Sequence, residues 1–265
     1  MTAGVILEVK NLGLQFRGRY RFLRGRAPNV KALDSVSFSL GRGDTLAVIG
    51  ESGSGKTSLL RAVMGLLPPC EGDIELWGKS VKSMSAGERS ETRRRCGYVL
   101  QDPYSSLPPT MSVMDAVTEP WNLVNRGRGK REEGLSRARS LLLEMKLPED
   151  LWSSRVRYSL SGGQRQRVAV ARALILEPEI LLCDEPTAMQ DISTRGEVIE
   201  VLQRRVDAGM AMMLVTHDLF LARRAARRGI VLNKGMIADA GDTEQLLRNP
   251  THEYTRALVA ALPRI

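Results

Sequence analysis

Apolar and polar residues alternate near the start of the chain as they do in half-buried strands. The pattern predicts strands over residues 5–10 (VILEVK) and 35–40 (SVSFSL). Residues 16–32 between them are rich in Arg and Gly, which is typical of a solvated loop or a hairpin. Five arginines lie within 17–26. Plain solvation of this basic loop is one interpretation, and a contact with lipid or with a partner protein is the more specific alternative.

Short apolar runs and segments with helical spacing alternate along the rest of the chain. Further strands are predicted at 45–50, 72–78, 96–101, 179–186 and 210–218, with a hairpin over 229–241 that turns at Lys234-Gly235. Helices are predicted at 56–67, 112–124, 132–145, 162–174, 192–209 and 249–262, and GRGKREE (127–133) is expected to interrupt the helical region. This alternation predicts an α/β fold with a mainly parallel sheet covered on both faces and an antiparallel β portion. We expect one domain, with a core of residues 1–102 and 176–265 and a helical subdomain inserted over about 103–175.

The segment GESGSGKTS (50–58) satisfies the phosphate-loop pattern GxxxxGKS/T through Gly50, Gly55, Lys56 and Thr57. A strand precedes it and a helix follows it, which favours a phosphate site over a chance match in a glycine turn. Such a loop turns successive backbone N–H groups toward a phosphate, and the helix start adds its positive dipole end. Lys56 is predicted to reach the β- and γ-phosphates, and the Thr57 hydroxyl to ligate Mg²⁺. The other loop residues predicted to bind the nucleotide are Glu51, Ser52, Gly53, Ser54 and Ser58.

Polar residues follow several of the apolar strands. Asp184 and Glu185 end ILLCDE; alone they would more often form a helix cap or a solvated turn, but beside a phosphate loop they predict a metal ligand and a residue that acts on the attacking water. Gln101 and His217 also follow apolar strands, and ligands of open α/β sheets lie at the carboxyl ends of strands. We therefore expect Glu185, His217 and Gln101 to be catalytic, and Asp184, Thr57 and Gln101 to hold Mg²⁺.

Composition narrows the function class only a little. The net charge of +9 permits nucleic acid, an anionic membrane face or a phosphorylated ligand as partner, and equally permits a solvated basic surface. The three cysteines are scattered, which argues against a metal site and favours a reduced setting over a disulfide framework. No run approaches the roughly 18 apolar residues of a membrane span, and no signal peptide is expected at the N-terminus.

These motifs, taken in order, resemble those of ATP-binding cassette ATPases, the nucleotide-binding subunits of ABC transporters. GESGSGKTS resembles Walker A, YVLQDP the Q-loop, LSGGQ (160–164) the family signature, ILLCDE Walker B, and VTHD the switch-histidine motif. The resemblance implies a P-loop NTPase fold, with ATP and Mg²⁺ bound between one subunit's Walker A and a second subunit's signature. It assigns Ser161, Gly162, Gly163, Gln164 and Asp191 to nucleotide binding, and Phe16 to stacking on adenine.

The segment NPTHEYTRALVAALP (249–263) is similar to the C-terminal motif of cassettes that serve oligopeptide, dipeptide and nickel importers. Glu253 stands where the family usually has Pro, and AMQD (188–191) stands where it typically has SALD. The AMQD departure bears on communication between the two ATP sites of a cassette dimer. The implied partners are a second cassette, either identical or a sister, membrane-spanning permease subunits and, indirectly, an extracytoplasmic binding protein, with no nucleic acid expected. The implied location is peripheral, on the cytoplasmic face of the membrane. The alternative is a cassette subunit of a phosphonate-degrading (C–P lyase) complex or another non-transport ABC protein.

Overall fold

The computed structural model of the protein describes residues 4–16, 20–21, 25–26, 29–125 and 127–261. Most of the basic loop over 17–26 lies outside these ranges, so its contact with lipid or permease stays a prediction. Within the loop, Tyr20–Arg21 pairs antiparallel with Gly25–Arg26, which confirms the hairpin alternative for these residues.

Strands and helices alternate along most of the described chain. The strands are β1 (Val5–Phe16), β2 (Tyr20–Arg21), β3 (Gly25–Arg26), β4 (Val30–Gly41), β5 (Thr45–Ile49), β6 (Glu71–Leu76), β7 (Lys79–Ser80), β8 (Cys96–Val99), β9 (Ile180–Asp184), β10 (Ala211–Thr216), β11 (Arg228–Asn233) and β12 (Met236–Asp242). The helices are α1 (Lys56–Val63), α2 (Ala86–Arg94), α3 (Pro103–Ser106), α4 (Val113–Val124), α5 (Arg128–Glu144), α6 (Val156–Ser159), α7 (Gly162–Leu174), α8 (Ile192–Asp207), α9 (Leu219–Ala225), α10 (Thr243–Arg248) and α11 (Glu253–Ala260), with a 3₁₀ turn at Glu149–Leu151.

The chain divides into two compact units, and the two boundaries fall inside α2 and inside β10. The first unit contains Met1–Thr92 and Met213–Ile265, and the second contains Arg93–Met212. Helices α3 to α7, which cover the predicted helical subdomain, all belong to the second unit together with β8, β9 and α8. A subdomain boundary at about 103 and 175 stays a prediction.

The first unit holds both antiparallel and parallel strand pairs. One sheet has the order β4-β1-β6-β7, and β1 pairs antiparallel with β4 from Val5↔Gly41 to Phe16↔Val30. Elsewhere in this unit β5 pairs parallel with β11, and β11 pairs antiparallel with β12. Because Asn233 pairs with Met236, the hairpin turns at Lys234-Gly235 as predicted. The mixed α/β architecture with an antiparallel portion is confirmed.

Buried strands end where the polar residues of interest begin. Every residue of β5, β9 and β10 is buried, as expected for central strands of near-continuous apolar sequence. In the second unit β8 and β9 pair in parallel, from Cys96↔Ile180 to Val99↔Cys183. This register brings the carboxyl ends of the two strands to the same edge of the sheet.

Five of the described helices escape prediction from hydrophobic spacing: α2, α9, α10 and the two four-residue helices α3 and α6. Helix α2 (AGERSETRR) buries none of its residues, so it has no apolar face for the pattern to reveal. In contrast, α9 and α10 are only 7 and 6 residues long, too short for a periodic pattern. The capping aspartates Asp218 and Asp242 are the local signal that marks where these two helices begin.

The expected interruption between α4 and α5 is present, but its predicted extent over GRGKREE is wrong, because α5 already begins at Arg128. A tertiary contact holds this weakly helical first turn: the Trp121 indole N–H donates to the Lys130 carbonyl oxygen at 2.7 Å. The Arg137 guanidinium also lies 4.5 Å from the Trp121 ring centroid. Packing against α4 therefore overrides the low helix propensity of the glycines. Among the described residues, no helix combines the length and apolarity that a bilayer span requires.

Candidate functional site

The predicted phosphate loop links the end of β5 to the start of α1. Gly50 follows the buried strand with φ at 154°, and a Cβ there would lie 2.4 Å from the Leu232 carbonyl oxygen, so only glycine fits. Helix α1 begins after Gly55, and within the described part of the chain no side chain caps its N-terminus. The first N–H groups of α1 are thus left for a ligand to satisfy, which suits a phosphate.

Lys56 bends back over this loop. Its ammonium group donates to the carbonyl oxygens of Gly50 and Glu51, at 2.7 Å in each case, and the residue is only 8% exposed. Ser54 is also buried, and its hydroxyl oxygen has no hydrogen-bond partner among the described residues. A buried cation and an unsatisfied hydroxyl inside one glycine-rich turn fit an anionic ligand. Glu51, Ser52 and Gly53 are exposed, while Thr57 and Ser58 are half-buried.

The structure brings together two of the predicted catalytic residues, Gln101 and Glu185. Gln101 follows β8 and Glu185 follows β9, so the parallel pairing of these strands places both at one edge. The Gln101 amide donates to Glu185 Oε2 at 3.4 Å, a long hydrogen bond that leaves room for adjustment when a ligand binds. Asp184, the last residue of β9, is 3% exposed, whereas Glu185 is half-buried. The two carboxylates therefore occupy different environments, as their separate predicted roles require.

Glu185 has an unusual backbone conformation. Its φ is 47°, in the left-handed region that non-glycine residues seldom adopt. The strand therefore ends at Asp184, and the chain turns sharply with the Ala188 N–H donating to the Glu185 carbonyl oxygen at 3.2 Å. Backbone strain of this kind concentrates at functional sites. Strand alternation, which would place adjacent side chains on opposite sides of the sheet, therefore does not extend to Glu185.

His217 lies between a buried strand and a capped helix in the first unit. Strand β10 ends at Thr216, and the Asp218 carboxylate caps α9 by accepting from the Leu221 N–H at 3.0 Å. The Asp218 N–H in turn donates to the Thr216 hydroxyl at 3.0 Å. These bonds fix the backbone on both sides of His217 while its side chain remains exposed.

The signature segment forms a complete helix cap. The Ser161 hydroxyl accepts from the Gln164 N–H at 3.2 Å, and Gln164 Oε1 accepts from the Ser161 N–H at 2.9 Å. This capping box begins α7. The side chain of Gln164 is occupied in the cap, so the group that Ser161 can still offer a ligand is its hydroxyl proton.

The AMQD loop (188–191) packs on the glycines of the signature. A Cβ on Gly163 would lie 3.3 Å from the Met189 carbonyl oxygen, and one on Gly162 would lie 3.4 Å from the Met189 sulfur. Small residues at both positions therefore let this loop approach α7 closely. The loop ends at Asp191, whose carboxylate accepts from the Thr194 N–H at 2.9 Å and caps α8. Gln190 in the loop is 5% exposed, and its amide has no hydrogen-bond partner among the described residues.

Phe16, predicted to stack on adenine, ends β1 with its side chain 43% exposed. Its cross-strand partner Val30 is 60% exposed. The end of this antiparallel pair thus presents an apolar surface of the kind that a planar base can cover.

The donor set predicted for Mg²⁺ suits that ion. A Thr57 hydroxyl, the Asp184 carboxylate and the Gln101 amide oxygen are hard oxygen ligands, which Mg²⁺ prefers. In the part of the chain that the structure describes, no group of three or more His, Cys, Asp or Glu residues could hold a metal ion. Mg²⁺ does not need such a group, because it is usually held by one or two protein ligands together with substrate phosphates and water.

Two cysteines, Cys96 in β8 and Cys183 in β9, are unreactive. Burial raises the pKa of Cys96 to about 12, and burial also raises the pKa of Cys183. Both thiols are therefore protonated at neutral pH and carry no thiolate chemistry.

One contact to the phosphate loop was missed by sequence reasoning. The Tyr254 hydroxyl, from α11, accepts a hydrogen bond from the Glu51 N–H at 3.1 Å. The sequence drew attention to the NPTHEYT segment as a family motif, but nothing in the spacing could link residue 254 to residue 51.

Comparison with known proteins places these motifs in a family. The sequence profile of the family described as ABC transporter matches residues 33–188. A peptide import ATP-binding protein of Brucella ovis is 40% identical over 253 residues, which cover 94% of this chain and 78% of that protein. The glutathione import ATP-binding protein GsiA of Escherichia coli is 37% identical, over 97% of this chain and 41% of that protein.

Solved structures agree with this relationship. A dimeric structure of the ATP-binding cassette MJ0796, in a post-hydrolysis state with ADP and Pi, matches with a TM-score of 0.80 and 29% identity, over 90% of this chain and 99% of that one. The cbiO1 protein of Clostridium perfringens, part of an ABC transporter complex, matches with a TM-score of 0.76 and 27% identity, over 98% and 97% of the two chains. The P-loop NTPase fold and the family predicted from the motifs are confirmed, and the chain belongs to the ABC transporter family as one of its ATP-binding cassettes.

Proposed function

We propose that this cassette hydrolyses ATP to drive an importer, and that peptides or related small solutes are the cargo. The pairing of Gln101 with Glu185 at the ends of two parallel strands carries the hydrolytic part of the proposal. The cargo is inferred from relatives named for the import of peptides and of glutathione, itself a small peptide. The same names favour an importer over the phosphonate-degrading alternative.

The side chains divide the chemical work among them. Lys56 leaves the Gly50 and Glu51 carbonyl oxygens and binds the β- and γ-phosphates, while the N–H groups at the start of α1 hold the phosphate oxygens. Glu185 accepts the proton of the attacking water, and Gln101 holds Glu185 and the water in place. His217 contacts the γ-phosphate from the end of β10, and Phe16 stacks on adenine. Thr57, Asp184 and Gln101 would hold Mg²⁺, which neutralises phosphate charge when bound.

A second cassette completes each site. Ser161, with its hydroxyl proton free to donate from the N-terminus of α7, serves the γ-phosphate bound by the partner subunit. The dimeric state of the MJ0796 cassette supports this pairing. The partner is either an identical chain or a sister cassette.

The permease is proposed to dock on the second unit, at the cytoplasmic face of the membrane. A cavity of 290 Å³ opens there beside β8 and α7, and its lining includes Leu100, the residue before Gln101, together with Ser106, Pro120 and Arg172. A mixed apolar and basic cavity of this kind suits a short helix of a membrane-spanning partner. An extracytoplasmic binding protein would deliver the cargo to that permease.

The decisive experiment uses Glu185→Gln, because an amide cannot accept the water's proton. We expect this variant to bind ATP, to lose turnover, and to shift from monomer to dimer with ATP in light scattering. Adding Ser161→Arg should abolish the dimer while a fluorescent ATP analogue still binds through the subunit's own loop. Loss of nucleotide binding in the double variant would show that Ser161 serves its own subunit's ATP.

Ser112→Arg in the Glu185→Gln background is the matched control. Ser112 caps α4 in the same unit, accepting from the Asp115 N–H at 3.0 Å, so this change removes an equivalent cap away from the signature. The control should still dimerise with ATP. If Glu185→Gln alone remains monomeric, co-expression with a sister cassette tests the heterodimer, and affinity capture from native membranes identifies the permease.

A further inference from the structure

The C-terminal segment (residues 249–261) is anchored to β12 by one carboxylate. Asp239 is 8% exposed, and its Oδ2 atom accepts from the backbone N–H groups of Thr251 at 3.0 Å and His252 at 3.2 Å. Its Oδ1 atom accepts from the Thr251 hydroxyl at 2.9 Å. Three hydrogen bonds to one buried carboxylate fix the position at which the segment turns into α11.

The first turn of α11 carries Tyr254, which contacts the phosphate loop. His252 Nδ1 accepts from the Tyr254 N–H at 3.1 Å and caps the helix. The Tyr254 ring packs with Leu258 and Val259 against a buried cluster that includes Ala47 and Ile49 of β5. The ring therefore lies beside the strand that leads into the loop, and its hydroxyl accepts from the Glu51 N–H at 3.1 Å.

One peptide unit of the loop is held from both sides. The Gly50 carbonyl and the Glu51 N–H belong to the same planar peptide group. Lys56 donates to the carbonyl at 2.7 Å, and Tyr254 accepts from the N–H at 3.1 Å. When Lys56 turns to phosphate, as proposed above, the hydrogen bond to Tyr254 is the side-chain contact that the described residues still make with this peptide group.

We propose that Tyr254 is a positioning residue for the phosphate loop and that the C-terminal segment is thereby part of the nucleotide site. Its hydroxyl keeps the Gly50–Glu51 peptide in the orientation in which the loop receives the β-phosphate. This inference rests on the proposed binding of ATP by the loop. The ring contributes packing to the core, and the hydroxyl contributes the orientation of the loop.

Tyr254→Phe separates these two contributions, because it keeps the ring and removes the hydroxyl. We expect the Kd for ATP and ADP and the KM for ATP to rise about 3- to 10-fold, the effect of losing one hydrogen bond. The kcat should change less than about twofold, because the loop grips phosphate equally in the ground and transition states. AMP, which lacks the β-phosphate, should bind the variant as it binds the wild type, whereas a general loss of structure would weaken all three nucleotides.

Thr255→Val is the matched control on the same helix. Thr255 is 1% exposed, and its hydroxyl has no hydrogen-bond partner among the described residues. Removing this hydroxyl should leave the ATP affinity and KM unchanged. An equal rise in KM for Thr255→Val would reduce the Tyr254 effect to helix packing and overturn the proposal.

A double variant tests the route from Asp239 to the loop. If Asp239 acts by holding Tyr254 in place, Asp239→Asn should raise the KM, and adding Tyr254→Phe should raise it by less than twofold more. If the KM increases of the two single variants multiply in the double variant, Asp239 does not act through Tyr254. Unchanged ATP affinity in Tyr254→Phe, with a wild type that binds ATP, would overturn the positioning role alone; a wild type that neither binds nor hydrolyses ATP would overturn the proposed function instead.

Discussion

Lys56→Met should separate the binding role of Lys56 from its part in the folded loop. Methionine keeps most of the aliphatic stem and removes the ammonium group, which donates at 2.7 Å to the carbonyl oxygens of Gly50 and Glu51. Losing two hydrogen bonds from a charged donor costs about 1.5–3 kcal/mol each. Lys56 is only 8% exposed, so its buried charge costs several kcal/mol of desolvation, and the methionine variant avoids this cost. The two effects oppose each other, so we expect a net change in unfolding free energy within about 2 kcal/mol.

When ATP binds, the ammonium group exchanges its two carbonyl partners for charged phosphate oxygens, so its removal should weaken ATP binding. Removing one partner of a close charge pair costs about 2–5 kcal/mol of binding energy, which corresponds to a rise in Kd of roughly 30- to 5,000-fold. The loss of affinity should therefore far exceed any change in stability. Titration calorimetry with MgATP measures the first, and a thermal melt of the free protein, shifted by about 5 °C or less, measures the second.

Lys82→Met is the control for this comparison. Lys82 is exposed in the same unit and donates to the Gly72 carbonyl oxygen at 2.6 Å, so it loses a similar bond outside the loop. Its ATP affinity should equal that of the wild type. A Kd for Lys56→Met within about threefold of the wild-type value would refute the assignment of Lys56 to the phosphates.

Three other changes test separate parts of the structure. His217→Ala should retain ATP binding in calorimetry and lose about 10²-fold or more in turnover, and unchanged turnover would remove His217 from the site. Asp239→Asn tests acid sensitivity. Burial raises the pKa of Asp239, but the hydrogen bonds from His252 and Thr251 lower it by more, so the pKa lies below its usual value. The difference in unfolding free energy between wild type and this variant should hold above about pH 5 and shrink as pH falls below about 4; a difference independent of pH would contradict this reasoning. Ser161→Ala should lower the unfolding free energy by about 1 kcal/mol through loss of the α7 cap, and Ser161→Asn should restore it in the same denaturant titration.

The strands and the phosphate loop could be predicted because local sequence specifies them. Strands β5, β9 and β10 are buried along their whole length, and this burial appears in the sequence as uninterrupted apolar runs. The helix after the loop has regular apolar spacing, and the cap at Ser161 has the Ser-x-x-Gln pattern of a capping box. In each case the signal lies within a few residues of the feature.

The remaining contacts depend on residues that are distant in the chain. Tyr254 reaches a loop that precedes it by 203 residues, and no local pattern predicts that pairing. The first turn of α5 depends on a nearer residue, the Trp121 indole of the preceding helix, but the spacing within GRGKREE gives no sign of that contact. The direction of the Glu185 side chain could not be predicted either. Strand β9 ends at Asp184, and Glu185 has a left-handed backbone to which strand alternation does not apply.

The two turns predicted to bind anions, before α1 and before α7, differ in how many of their backbone N–H groups a side chain already caps. Helix α1 begins after a glycine with no side-chain cap, so its first N–H groups depend on a ligand for hydrogen bonds. Helix α7 begins with a capping box, in which Ser161 satisfies the Gln164 N–H and Gln164 satisfies the Ser161 N–H. A turn that is stable without a ligand can present one hydroxyl and a helix dipole to a phosphate held elsewhere, whereas an uncapped turn needs the phosphate itself. The caps therefore support the proposed division, in which α1 would bind the nucleotide of its own subunit and α7 would contact the nucleotide of the partner.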